Sequence, residues 1–254
     1  MTTLTSQQRA QFDGAGVLRL PGFFAAADIA AMADALWDDL GRRLGMRPAA
    51  PETWTTAHPA QFQALIRSGA FAALGSPALS ALGDAFLGAG AWELPRRWGQ
   101  PLVSFPAGAW YPRVMWHLDF PADDDDAKLP AIRLFTFLES VAPGGGGTVY
   151  VAGSHRVAMD IARAAGAQVR SADMQKRLRG GVPWFADLWP MSDEQVREAL
   201  GKQAEVNGVS VRVEEMTGEP GDLIVMHPTL LHGLARNFGD RPRLMLVETL
   251  YRRA

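Results

Sequence analysis

His117-Leu118-Asp119, followed far downstream by His227, His232 and then Arg243, are the residues of this sequence whose types and spacing carry the most chemistry. Two imidazoles and one carboxylate can hold one face of a ferrous ion and leave the opposite positions open for reaction. Val114-Met115-Trp116 reads as a strand running into the first pair, and residues two apart on a strand point to one face, so His117 and Asp119 can aim at a common ion. The second imidazole has two candidates. His227 ends an apolar run just before Pro228, and His232 sits in Leu230-Leu231-His232-Gly233. Asn237 and Arg243 follow His232 at the approach to the last strand-like run, where Arg243, Met245, Val247 and Thr249 share a face. An inward Arg is costly unless an anion meets it. Its planar fork suits a bidentate carboxylate, either that of a dicarboxylic co-substrate or a protein group such as Glu248 or Asp222.

The elements that would position these residues follow from periodicity. Thr5 and Gln8 are spaced as a capping box for a short helix over 7–12, and 17–20 reads as a strand stopped by Pro21-Gly22. Apolar residues at helical spacing (Ile29, Met32, Leu36, Leu40, Leu44) predict a long amphipathic helix over 25–44, and weaker helices are expected over 59–67 and 77–87. From Trp98 onward short β-like runs take over, at 101–105, 113–118, 132–138, 148–151, 209–215, 223–227 and 244–251, separated by turns such as Gly144-Gly145-Gly146-Gly147. Many short strands without alternating helices predict an α+β chain with a mainly β core. The strand signal lapses between Ser154 and Asn207, where helical pieces over 157–164 and 193–201 flank an aromatic stretch. A long insertion in a β core is often functional, so a helical lid is expected there. Asp123-Asp124-Asp125-Asp126 reads as a solvated loop.

The 254 residues are expected to form one domain, helical over about 1–95, β over about 98–252, with the insertion over about 155–208. The chain is 48% apolar and 20% charged with a net charge of −2, and its basic residues form no stripe, which argues against nucleic acid and anionic membrane as partners. It has no cysteine, so any metal must be held by His, Asp or Glu. Met1-Thr2-Thr3-Leu4-Thr5 lacks the basic start and apolar core of a signal peptide, and the most apolar stretch is broken by glycines, Pro77 and Asp84, so a cytoplasmic location is expected.

Trp116-His117-Leu118-Asp119, the run from Gly147 through Thr148 to Gly153-Ser154-His155-Arg156, and Gly221-Asp222 through His232-Gly233, Asn237 and Arg243 together resemble the phytanoyl-CoA dioxygenase family, as does the opening Leu4–Phe24 with its Pro-Gly-Phe-Phe. The family's members are Fe(II)- and 2-oxoglutarate-dependent oxygenases built on a double-stranded β-helix, or jelly roll. The resemblance implies that His117, Asp119 and His232 are the iron ligands, and that Arg243 anchors the distal carboxylate of 2-oxoglutarate. It leaves His227 a strand-end residue and His155 a structural one. Leu118, Ala152 and Leu234 depart from the family's usual Gln, Pro and Ser. The last departure leaves the hydroxyl partner of Arg243 open, and Thr148, Thr136, Gln100 and Ser104 are candidates.

The implied activity is hydroxylation of a C–H bond of a small molecule, using Fe(II), 2-oxoglutarate and O2 and releasing succinate and CO2. The carboxylate of Asp119 favours hydroxylation over halogenation, because a small residue there would open a position for halide. Trp110, Phe120, Trp184, Phe185 and Trp189 are candidates for lining an apolar substrate pocket, and Arg113 for meeting an anionic group. Two other readings stand beside this one. The same scaffold can carry out desaturation, epoxidation or cyclisation, or serve as a non-catalytic binding module, and a monomer or homodimer is expected.

Overall fold

The computed structural model describes residues 4–106, 114–123 and 129–253. Helix α1 (Ser6–Ala15) begins at the expected capping box, with Gln8 N donating to Thr5 Oγ1 at 3.1 Å and Thr5 N donating to Gln8 Oε1 at 2.9 Å. It ends at Gly16, whose φ of 76° is the left-handed C-terminal turn a glycine takes without strain. Strand β1 (Val17–Leu20) follows, then α2 (Ala26–Leu44), which buries the anticipated stripe of Ile29, Met32, Leu36 and Leu40. Helices α3 (Gln63–Arg67) and α4 (Pro77–Leu87) complete the helical part. The helix expected over 59–67 is shorter because residues 59–62 lie outside it.

The β part comprises β2 (Gln100–Ser104), β3 (Ala131–Phe137), β4 (Val149–Ala152), β5 (Gln203–Val206), β6 (Val209–Glu215), β7 (Leu223–Met226), β8 (His232–Gly233) and β9 (Arg243–Tyr251). Helices α5 (Ser154–Ala165), α6 (Ser171–Gly181), α7 (Pro183–Leu188) and α8 (Asp193–Ala199) fall between β4 and β5. The strands form a five-stranded sheet in the order β1-β7-β3-β9-β2 and a four-stranded sheet in the order β5-β6-β4-β8, with antiparallel pairing in both. The non-sequential order is the jelly-roll connectivity, and the two sheets do not close into one barrel.

Side-chain alternation divides the core into three layers. Phe135, Phe137, Met245, Val247 and Met226 of the larger sheet meet Tyr150 and Ala152 of the smaller one between the sheets. On the outer face of the larger sheet Leu134, Leu223, Val225, Leu244 and Leu246 pack on Phe12, Met32, Leu36 and Leu79 of the N-terminal helices. On the outer face of the smaller sheet Val149, Val151, Val211 and Val213 pack on Val157, Met174, Phe185 and Val196 of α5–α8. This is why strands such as β4 and β7 are buried along their whole length rather than at alternate residues.

Several expectations change. The insertion carries more helix than its apolar pattern suggests, because α6 is mostly polar and buries only Met174 and Leu178. It also packs on the outer face of the smaller sheet, where the indole of Trp116, next to His117, donates to Leu188 O at 3.1 Å. The insertion ends earlier than expected, since β5 pairs with β6 through Asn207-Gly208, both at positive φ (52° and 76°). Asn-Gly is the two-residue hairpin signal, and it was present in the sequence. Finally, the strand expected over 113–118 is reduced, among its described residues, to a single bridge between His117 and His232.

Candidate metal centre

That bridge brings the first two ligand candidates side by side. His117 N donates to His232 O at 2.8 Å and His232 N donates to His117 O at 3.0 Å, which sets the ring centroids 4.2 Å apart. Each ring is oriented by a carbonyl two residues back: His117 Nδ1 lies 2.9 Å from Met115 O and His232 Nδ1 lies 2.9 Å from Leu230 O. A carbonyl only accepts, so each Nδ1 carries the proton and each Nε2 presents a lone pair. Burial first, and then the neighbouring His117, pulls His232 down to about 4, so its imidazole is neutral at pH 7. Neutral imidazole is the form that binds metal.

Asp119 completes the group. Its Oδ1 is 3.7 Å from His117 Nε2 and its Oδ2 3.4 Å from His232 Nε2, and one donor atom from each of the three residues lies within 4.8 Å of the others. Donors bound at about 2.1 Å to one ion stand roughly 3–4 Å apart, and the two separations from Asp119 are of that size, so the set can close on a single first-row metal. Among the described residues it is the one such group of three. His227 is elsewhere. Its Nδ1 accepts from Thr229 N at 3.2 Å, and its ring lies 5.7 Å from Phe12 and 4.6 Å from His155. His155 in turn reaches Asp13 O at 3.1 Å, where α1 meets α5.

The sequence reading missed Arg133. Its Nε lies 3.0 Å from Asp119 Oδ2, and its Nη1 donates to Thr249 Oγ1 at 3.1 Å. The signal was a charged residue in step with Phe135 and Phe137 on a mostly apolar strand.

Arg243 is fully buried at the other end of β9, with Nη1 donating to Gly146 O. Burial lowers it to about 10 against the raising effect of Glu215, so it stays charged at pH 7. The nearby carboxylate is thus Glu215, a residue the sequence reading passed over, whereas Glu248 accepts from Gly99 N and Thr249 N, and Asp222 accepts from Gly22 N and Glu219 N. Glu215 accepts from Gly144 N at 2.7 Å and Gly147 N at 2.9 Å, so the glycine run folds around it. A Cβ on Gly147 would stand 2.0 Å from Met216 O, which explains why no side chain fits there.

Ser104 is the cross-strand partner of Arg243, so both side chains point to the same face. The Ser104 and Thr148 hydroxyls are buried and make no hydrogen bond among the described residues. A buried guanidinium with the unsatisfied Ser104 hydroxyl on its own face suits a carboxylate-bearing ligand. The other hydroxyl and amide candidates are not brought there. Thr136 stands with Leu134 on the helix-facing side of β3 and donates to Asp222 O at 2.8 Å. Gln100 is exposed at the opposite end of β2, across from Val247.

Among the aromatic candidates, Phe120 lies 5.9 Å from Tyr251 just beyond Asp119. Trp184 and Trp189 pack with Phe185 into the apolar layer behind the smaller sheet. That layer is on the far side of the smaller sheet from the cluster between the sheets, and it also takes in Trp116 and Leu118. Trp110 and Arg113 lie outside the described residues, as do Asp124, Asp125 and Asp126. No described helix is long and apolar enough to cross a membrane.

Comparison with known proteins places this geometry in context. The sequence model of the family described as phytanoyl-CoA dioxygenase (PhyH) matches residues 12–245. No curated protein sequence matches the chain. HygX from Streptomyces hygroscopicus, solved with nickel and 2-oxoglutarate bound, has a TM-score of 0.55 at 18% identity, covering 98% of this chain and 87% of that one. EctD from S. alaskensis, solved with 2-oxoglutarate and 5-hydroxyectoine, has a TM-score of 0.58 at 18% identity, covering 98% and 76%. SnoK, a non-heme α-ketoglutarate-dependent carbocyclase from nogalamycin biosynthesis, has a TM-score of 0.55 at 18% identity, covering 100% and 87%. At these identities the likeness is one of fold.

Proposed function

The chain belongs to the phytanoyl-CoA dioxygenase family, and from that premise we propose that it is an Fe(II)- and 2-oxoglutarate-dependent oxygenase that hydroxylates a C–H bond of a small molecule. The observation that carries this is the convergence of His117 Nε2, His232 Nε2 and the Asp119 carboxylate, with both imidazole protons held on the far nitrogens by carbonyls. When bound together, iron, 2-oxoglutarate and O2 supply a hydrogen-abstracting oxidant, with succinate and CO2 released.

The chain's residues supply geometry. His117, Asp119 and His232 hold one face of the ion and leave the other face to the co-substrates. Arg243, with the hydroxyls of Ser104 and Thr148, receives the distal carboxylate of 2-oxoglutarate, and Glu215 in its glycine cradle keeps the guanidinium charged at depth. Phe120 and Tyr251 stand beside Asp119 at the exposed end of β9, where a small-molecule substrate would meet the centre. The whole chain acts as one domain.

The test is incubation of iron-loaded protein with labelled 2-oxoglutarate and a metabolite library, following CO2 release and product mass. Absence of both Fe(II) binding and decarboxylation above background would sink the enzyme reading. The same scaffold in SnoK belongs to a carbocyclase, so a second outcome is a different oxidation of the substrate. A product that has gained one oxygen atom supports hydroxylation, and one that has lost two hydrogens supports desaturation or ring formation.

A further inference from the structure

We propose that Arg133 is a positioning residue for the metal centre: it ties up one oxygen of Asp119 so that the carboxylate meets the ion through a single oxygen. This rests on the oxygenase reading above. Arg133 and Thr249 are Cα partners across β3 and β9, both facing the space between the sheets. The guanidinium meets Asp119 Oδ2 as an ion pair, 3.0 Å from Nε but without hydrogen-bond geometry, donates from Nη1 to Thr249 Oγ1 at 3.1 Å, and lies 5.7 Å from the Phe135 ring. Only a rigid fork reaches Asp119 and Thr249 together, since the single ammonium of a Lys cannot span two acceptors in fixed directions.

The need for such a device follows from coordination number. An octahedral ion offers six positions, and two imidazoles plus one carboxylate oxygen leave three for the co-substrates. Carboxylates bind metals through one oxygen or through both. If Asp119 used both, one of the three open positions would be lost. A guanidinium on the second oxygen prevents that.

An alternative would make Arg133 a bystander cation, and the two ideas predict opposite signs. Removing a bystander charge from beside a dication should tighten metal binding. Removing a positioning partner should weaken it, by about 10- to 100-fold as for outer-shell partners of metal ligands. The experiment is anaerobic Fe(II) titration by calorimetry, together with the visible absorption of the Co(II)-substituted protein, whose bands report coordination number. Wild type, Arg133→Met, Arg133→Lys and Thr249→Val would be compared.

Arg133→Met is expected to bind Fe(II) at least about tenfold more weakly and to show altered Co(II) bands, with Arg133→Lys close to it. Thr249→Val should shift both readouts in the same direction by less, and it decides the matter if Arg133→Met does not fold. Unchanged or tighter binding with an unchanged Co(II) spectrum overturns the proposal, as does full restoration by Lys. A merely structural role would lower thermal stability and leave the spectrum alone. If wild type itself binds neither metal, the oxygenase reading fails instead, so the two failures are distinguishable.

Discussion

His227 and His232 are near neighbours in the chain, yet they turn their rings into different parts of the molecule: His232 Nε2 lies 3.4 Å from Asp119, while the His227 ring lies 4.6 Å from that of His155. His232→Ala should therefore abolish Fe(II) binding measured by calorimetry. His227→Ala should leave that binding intact and lower stability by about 2–3 kcal/mol, as expected for emptying a buried aromatic site. Equal loss of iron binding in the two variants would show that the wrong imidazole has been placed at the metal.

Asp119→Ala removes the carboxylate of the ligand set. Turnover of 2-oxoglutarate is expected to fall below detection while the far-ultraviolet circular dichroism stays that of wild type, since Asp119 lies outside the strands and both it and its partner Arg133 are part-exposed. Retained decarboxylation would remove Asp119 from the centre.

Arg243→Ala should raise the 2-oxoglutarate requirement more than it lowers kcat. A lost charge-assisted pair of hydrogen bonds is worth about 1.5–3 kcal/mol, or roughly 10- to 100-fold in KM. Steady-state kinetics with varied 2-oxoglutarate measure it, and an unchanged KM would place the co-substrate elsewhere.

Ser104→Ala separates binding from folding at the same place. Its hydroxyl makes no hydrogen bond among the described residues, so its removal should cost no thermal stability. It should still weaken 2-oxoglutarate binding by several-fold, if the hydroxyl meets the carboxylate beside Arg243. A fall in melting temperature with unaltered 2-oxoglutarate binding would contradict this.

His232 also sets a pH dependence. Its pKa is depressed from 6.5 to about 4 in the folded protein, chiefly by burial, so between these values the unfolded chain binds more protons than the folded one. Stability therefore rises with pH across this window and is lost as pH falls from about 6.5 toward 4, by on the order of 3 kcal/mol in full. Thermal melts of the metal-free protein should fall more steeply over that range than those of His232→Asn. Parallel slopes would mean that the imidazole is not buried neutral.

Much of this was written locally. The capping box of Thr5 and Gln8, the stripe of α2, the His-x-Asp pair, the inward face of Arg243 and the glycine run all depend on neighbours within a few residues, and periodicity exposes them. The Asn207-Gly208 turn was equally local and was passed over. What only the tertiary structure decided is which distant residues share a face. A one-residue change of strand register reverses every side chain, so sequence alone could not separate Ser104, which joins Arg243, from Thr136, which faces the helices. Nor could it show Arg133 against Asp119, Glu215 beside Arg243, or the aromatic insertion packed behind the smaller sheet. The ligand types and their spacing lie in the sequence itself, but the centre exists only where β3, β8, β9 and the His117 bridge are brought together, because long-range pairing assembles groups that no local pattern connects.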